Sequence, residues 1–204
     1  MEYLILGFFT GLSIILAIGA QNIFVIEQGL KKQYVFLVCF ICSISDLLLI
    51  FLGIFLFHFF HQYFNIFLEL FLNILLIIFL IYFVYSKIKS FQTIVNFNSD
   101  LNHTSRSDIF FKTLGFTYLN AHVYSDTVFF LGNFSKNFLI DEKIYFGLGA
   151  SIASFLFFFG LGYLSSHLSR YANSRKIWKY INLFIIVFMS SLTIYIIKET
   201  LNML

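Results

Sequence analysis

Two acidic side chains stand inside otherwise apolar segments of this chain. Asp46 lies in the middle of residues 42–48, and Asp126 lies within residues 119–128. An Asp at the centre of a membrane helix costs about 3 kcal/mol on insertion scales, so each should face the protein interior. There it would bind a cation, a proton or a hydrogen-bond donor. We interpret both as substrate-binding or proton-coupling residues; a protonated Asp that only holds helices together is the alternative.

A histidine accompanies the second acid. His122 lies four residues before Asp126, which places the two side chains on the same face of a regular helix. Histidine changes its charge near neutral pH, so the pair could pass a proton between them. A static pair that stabilises the helix is the alternative.

Three amide side chains and a glycine form the other polar group. Gln21 and Asn22 follow Gly19 late in the first apolar segment, and Asn120 lies in the fourth. Amides at such a depth normally face a protein or water-lined cavity. They suit the carboxylate and ammonium groups of a solute, and Gly19 would let a ligand approach the backbone closely. Amides that bridge membrane helices are the alternative.

The composition identifies the setting of these residues. Hydrophobic residues make up 60% of the 204, charged residues 11%, and the mean hydropathy is +0.89. At about 20 apolar residues per spanning helix, the chain has room for roughly six spans. We predict an all-α polytopic membrane protein with a single domain, residues 1–204. The predicted spans are 4–26, 35–57, 66–85, 113–132, 144–164 and 178–197. No Lys or Arg precedes the first span, so we interpret it as a span and not as a leader.

A predicted flexible loop over residues 86–112 divides the chain into halves of about 1–90 and 110–204. Each half opens on a helix that carries an amide motif. Three spans per half would force the halves into opposite orientations, which is the geometry of inverted repeats with a substrate site between them. The sequence therefore predicts two inverted three-helix repeats.

Positive charges predict the orientation. Ten of the 13 Lys and Arg residues fall in the first, third and fifth loops. They are Lys31, Lys32, Lys87, Lys89, Arg106, Lys112, Arg170, Arg175, Lys176 and Lys179. Because such residues tend to stay in the cytoplasm, both termini are predicted to lie outside. The positive residues in these loops account for the net charge of +3. The charge therefore does not indicate a nucleic-acid partner, and we expect none.

Two pairs of residues suggest other chemistry. Cys39 and Cys42 form a Cys-x-x-Cys motif, which would suit a membrane thiol-disulfide relay. Within one helix such a pair bonds only with distortion, and buried thiols are ordinary packing residues. His58 and His61 supply fewer ligands than a metal site normally needs. We predict no metal, no cofactor and no enzymatic activity.

Three motifs in order resemble the LysE/ArgO family of lysine and arginine exporters, and the resemblance spans nearly the whole chain. The motifs are Gly19-Ala20-Gln21-Asn22 with Phe24-Val25 and Gln28-Gly29, then Cys42 with Ser45-Asp46, then Asn120-x-His122-Val123-Tyr124-x-Asp126-Thr127. The family has Pro where this chain has Ala121, and the chain contains no Pro. Loosening of the helix there then depends on Asn120 and nearby Gly115.

The resemblance implies a bacterial inner-membrane exporter of basic amino acids. Such a solute has two positive groups and one carboxylate, which two acids and neutral amides complement. Export of a cation from a negative interior costs about 2.3 kcal/mol per 100 mV, so we expect proton antiport. The expected partners are the amino acid, the proton and the lipid bilayer, and formation of a homo-oligomer stays open. Export of neutral amino acids or of a divalent cation on the same scaffold is the alternative.

Overall fold

The computed structural model describes residues 1–16, 19–63, 66–93, 105–170 and 175–202, and every regular element in these ranges is helical. The helices are α1 (Glu2–Ile15), α2 (Ala20–Lys31), α3 (Val35–Tyr63), α4 (Ile66–Thr93), α5 (Arg106–Tyr118), α6 (Ala121–Tyr124), α7 (Leu131–Phe134), α8 (Ile140–Leu168) and α9 (Arg175–Asn202). A π-helical segment, Ser125–Phe130, joins α6 to α7. The prediction of an all-α protein is confirmed.

The first predicted span, 4–26, is wrong as a continuous helix. Helix α1 ends at Ile15, α2 begins at Ala20, and their axes meet at 84°. Gly19, directly before α2, has extended backbone dihedrals of φ −122° and ψ −177°. Hydropathy stays high across this point, so the apolar pattern alone gave no sign of the break. The low helix propensity of Gly was the available signal.

The fourth predicted span, 113–132, is also broken. Helix α5 ends at Tyr118 and α6 begins at Ala121, so the chain breaks here without a proline. Asn120 stands directly before α6, a position that Asn favours, and Ala121 takes the first helical position, where Pro is well tolerated. Because Pro is tolerated but not required at the first position of a helix, the break is present with Ala121 there. The π-helical segment that follows is a type of distortion often found at functional sites.

Several helices extend beyond the predicted spans. Helix α3 continues through His58 and His61 to Tyr63, α4 continues to Thr93, and α5 begins at Arg106. The predicted flexible loop, 86–112, is thus helical at both ends, while residues 94–104 lie outside the described residues. Hydropathy marks the part of a helix that suits the hydrocarbon core, and a helix with polar ends continues beyond it.

Within the described residues, three stretches are each long and apolar enough to cross a bilayer. They are Val35–Phe57, Ile140–Leu168 and Lys179–Asn202. The bent pair of α1 and α2 adds a fourth crossing if it is counted as one span. The total of six spans stays a prediction.

Helix α8 lies at the centre of the packing. Helices α1, α2 and α3 all pack against it, while α3 also packs against α5, the π-helical segment and α7, and α4 packs against α9. The broken segments pack on the long helices. Helices α1 and α2 pack on α8, and α5, the π-helical segment and α7 pack on α3.

Glycines allow the backbones of α1 and α8 to approach closely. A Cβ atom on Gly7 would overlap the Phe146 backbone, and one on Gly149 would overlap the backbone of Leu4. A Cβ on Gly11 would lie 2.8 Å from the Cα of Ala150. Small residues hold membrane helices together in this way, because van der Waals contact replaces the hydrophobic drive that lipid removes.

We expect Gly149→Ala to destabilise the protein, because the new methyl group collides with backbone atoms of α1. The expected loss is about 1–3 kcal/mol, as for an overpacked core. Gly160→Ala on the same helix is the matched control, since a Cβ there meets nothing within 4 Å. Thermal unfolding in detergent measures both. Equal unfolding temperatures for the two variants would contradict this packing.

Candidate functional site

A cavity of about 250 Å³ lies where the break between α1 and α2 meets the break between α5 and α6. Its apolar lining includes side chains from three helices, Leu76 on α4, Phe158 on α8, and Leu192 and Ile196 on α9. The lining also includes Gly19 and the polar residues Gln21, Asn22, Asp46, Asn120 and Asp126. A pocket of mixed polarity at a helix break can hold a small polar solute away from lipid.

Six of the seven residues that the sequence singled out therefore lie around one cavity. The side chain of the seventh, His122, lies outside the described residues. The prediction that His122 and Asp126 share a helical face therefore stays a prediction. The backbone between them is not a regular α-helix, since the π-helical segment begins at Ser125. The functional roles of these residues stay predictions.

Asp46 is held by a hydrogen bond from across the helix interface. Its side chain is 3% exposed, and the Ser154 hydroxyl of α8 donates to its Oδ2 atom at 2.7 Å. Hydrogen bonds to an ionised carboxylate are short and strong. Sequence reasoning missed Ser154, because a single Ser in a span looks like an ordinary polar contact between helices.

Both chain breaks are bridged by a side chain. Asn22 Nδ2 donates to the carbonyl of Ile15, the last residue of α1, at 3.3 Å. Tyr124 donates its hydroxyl to the carbonyl of Tyr118, the last residue of α5, at 2.9 Å. The last carbonyls of a helix have no partner within it, so each bond satisfies a group that the break exposes. Asn22 thus has a structural role as well as a place on the cavity wall.

Gln21 has an amide group that the described protein leaves partly unsatisfied. Gln21 is 7% exposed, and by hydrogen-bond geometry its Nε2 atom has no partner among the described residues. The neighbouring thiol of Cys42 is only a weak acceptor. A buried donor without a partner costs about 1–3 kcal/mol. This residue lines the cavity and can offer a hydrogen bond to a bound solute.

The two cysteines are free thiols in the packed interior. Cys39 donates to the carbonyl of Phe158 at 3.2 Å and fills the space beside Gly162. Both residues are fully buried between helices, as ordinary packing residues are. The side chains of His58 and His61 lie outside the described residues. Among the side chains that are described, no group of three or more His, Cys, Asp or Glu is arranged to hold a metal ion.

Comparison with protein families agrees with this architecture. The family described as LysE type translocator matches residues 12–200, nearly the whole chain. The chain belongs to the LysE-type translocators. It is therefore a multi-pass inner-membrane transport protein, and the predicted family is confirmed.

Curated relatives of this LysE-type translocator are similar along most of their length. It is 32% identical over 194 residues to the arginine exporter protein ArgO of Pectobacterium carotovorum subsp. carotovorum (strain PC1), covering 95% of each chain. It is 31% identical over 180 residues to the arginine exporter protein ArgO of Pectobacterium atrosepticum, covering 88% of each. No solved structure matches the chain significantly.

We expect Tyr124→Phe to weaken the second break. The change removes the donor to the Tyr118 carbonyl without changing the ring, so the expected loss of stability is about 1 kcal/mol. Tyr163→Phe on the exposed face of α8 is the control. Thermal unfolding measures the stability of both. Backbone hydrogen exchange at residues 118–121 should rise only in Tyr124→Phe, and unchanged exchange would refute the role of this bond.

Proposed function

We propose that this LysE-type translocator exports arginine from the cytoplasm in exchange for protons, with lysine as a second substrate. Three observations support the proposal. The chain belongs to a family of translocators. Relatives that it matches along most of their length are named arginine exporters. The cavity at the two chain breaks is lined by acidic and amide groups.

The observation that carries the proposal is the presence of Asp46 and Asp126 on the same small cavity. Arginine and lysine each have an α-ammonium group and a cationic side chain, so two carboxylates match their two positive charges. A carboxylate in a membrane interior is costly unless a cation or a proton compensates it. A neutral amino acid would leave one of the two acids uncompensated.

The need to compensate each carboxylate also couples substrate binding to proton binding. Each carboxylate can hold a proton or a cationic group of the substrate, but not both. A proton that enters from outside neutralises Asp46 or Asp126 and releases the substrate outward. The proton is shed to the cytoplasm when new substrate competes for the carboxylate. His122 assists this transfer in the proposal, since histidine exchanges protons near neutral pH.

The energetics favour such an exchange. Moving one positive charge out of a negative interior costs about 2.3 kcal/mol per 100 mV. Exchange of one proton for one monovalent cation moves no net charge, so the membrane potential does not oppose it. The proton gradient then drives export.

The proposal includes a topology of two inverted halves with both termini outside. Its support is the correspondence of the two breaks. Each lies in the first segment of its half, and each is bridged by a side chain that bonds to the last carbonyl before the break. Transporters built from inverted repeats place their substrate sites at such discontinuous helices. Lys31, the last residue of α2, and Lys32, which follows it, then face the cytoplasm.

We expect Asp46→Asn to abolish arginine transport driven by a pH gradient, because an amide can neither carry the proton nor balance the cation. Labelled arginine and purified protein in proteoliposomes provide the measurement. Asp141→Asn is the matched control, since Asp141 is exposed in the first turn of α8. Transport by Asp46→Asn at the rate of this control would refute the mechanism.

The double variant Cys39→Ala, Cys42→Ala tests the thiol-disulfide relay, the alternative of a different class. We expect it to keep at least about half of the arginine transport, because both thiols serve as packing groups. The comparison must be made at equal amounts of folded protein, since Cys39 loses its contact with Phe158. Complete loss of transport in a folded double variant would favour the relay.

A further inference from the structure

We propose that the N-terminus of α2 and the side chain of Gln21 form the subsite for the α-carboxylate of the substrate. This inference rests on the proposed function, because it assigns an orientation to the amino acid in the same cavity. In this proposal one part of the cavity binds the α-carboxylate of the substrate, and another part binds its two cationic groups.

The N-terminus of α2 has the properties of an anion site. The helix is 12 residues long, no side chain caps its start, and its first turn contains no acidic residue. Its first backbone N–H groups have no partner within the helix and stand at the positive end of its dipole. Residues 19–22 all line the cavity. The start of α2 can therefore receive a carboxylate without displacing a capping side chain.

Gly19 keeps the approach to this helix end open. A Cβ atom built on Gly19 would meet none of the described residues beyond its chain neighbours within 4 Å. The residue lies in the extended conformation immediately before α2. A carboxylate could approach the backbone there more closely than at a residue with a side chain.

The side chain of Gln21 gives an independent indication of a ligand. It lies on the cavity wall, it is more than nine-tenths buried, and apart from the weak acceptor Sγ of Cys42 its amide nitrogen has no hydrogen-bond partner among the described residues. An orphaned donor of this kind is costly unless something binds it. A carboxylate oxygen is the acceptor that would form the strongest bond with it.

Asp46 is displaced from Gln21 along α3. Gln21 neighbours Cys42, and Asp46 lies one turn further along α3, which is about 6 Å along the helix axis. The α-carboxylate and α-ammonium of an amino acid are attached to the same carbon. With one hydrogen bond at each end, they can bridge Gln21 and Asp46. Asp126, which lines the same cavity, is the proposed partner of the side-chain cation.

The second break offers no equivalent anion site. Helix α6 has only four residues, and Asp126 stands in the first turn of the π-helical segment that follows it. A negative side chain at this position repels a carboxylate. The two breaks therefore differ in polarity, and the orientation of the substrate follows from the difference.

Agmatine, which is arginine without its carboxylate, tests this subsite. We expect wild-type protein to bind arginine about 10- to 100-fold more tightly than agmatine, the range for lost hydrogen bonds to a charged group. Gln21→Met keeps the length of the side chain but removes the amide. It should weaken arginine binding about 10-fold and leave agmatine binding unchanged, with both affinities measured by calorimetry on purified full-length protein.

Gln21→Glu gives the opposite test, since a carboxylate there repels the substrate carboxylate. We expect it to bind agmatine at least as tightly as wild type and arginine more weakly than Gln21→Met does. Retained agmatine binding also shows that each variant is folded.

Two results would overturn the carboxylate subsite alone. One is equal wild-type affinity for arginine and agmatine, and the other is a Gln21→Met variant that loses both ligands to the same extent while its unfolding temperature is unchanged. Failure of folded wild-type protein to bind arginine or agmatine would instead overturn the proposed function, and the subsite with it.

Discussion

A helix that breaks inside a membrane must satisfy its backbone polar groups within the protein, because lipid offers them no hydrogen bonds. The described part of the chain contains two such breaks, one between the end of α1 at Ile15 and the start of α2 at Ala20, and one between α5 and α6 at Asn120. Asn22 and Tyr124 each satisfy a carbonyl that a break exposes. Side chains from α3, α4, α8 and α9 enclose the space around both breaks. The cavity is thus a consequence of keeping irregular backbone away from lipid.

Close helix packing is what keeps this space small. Glycines bring α1 against α8, and Gly53 brings α3 against the chain near Val128 and Gly132. These contacts lie beside the two discontinuous segments and hold them against the long helices. Asp46 and Ser154 form a hydrogen bond where α3 and α8 face each other. The acid is therefore positioned by the same helix pair that organises the fold.

The fold class and most of the candidate site could be predicted because costly residues stand out in an apolar sequence. It is energetically costly to place side chains such as Asp46, Asp126 and the amides in lipid. The structure brings them to one cavity. The breaks could not be located in the same way, since hydropathy averages over many residues and Gly19 interrupts an apolar run only briefly. The helix ends beyond the hydrocarbon core were missed for a related reason. Polar residues such as His58 and Arg106 are typical of loops, but here they belong to α3 and α5.

Partners of the candidate site were harder to predict than the site itself. Ser154 and Tyr124 act through hydrogen bonds that depend on how the helices meet, and neither residue type is unusual in a span. The absence of proline suggested that the second break would differ from the family pattern. The break persists because Asn120 and Ala121 take the positions before and at the start of α6. The backbone geometry here does not require proline.

The central claim is that substrate and proton compete for the same carboxylates. Calorimetric titration of purified wild-type protein with arginine, in two buffers of different ionisation enthalpy, measures protons released on binding. The account predicts that arginine binding releases protons and that its affinity falls as the pH falls through the range in which the site takes up protons. Binding of arginine without proton release, with the same affinity at every pH, would contradict it.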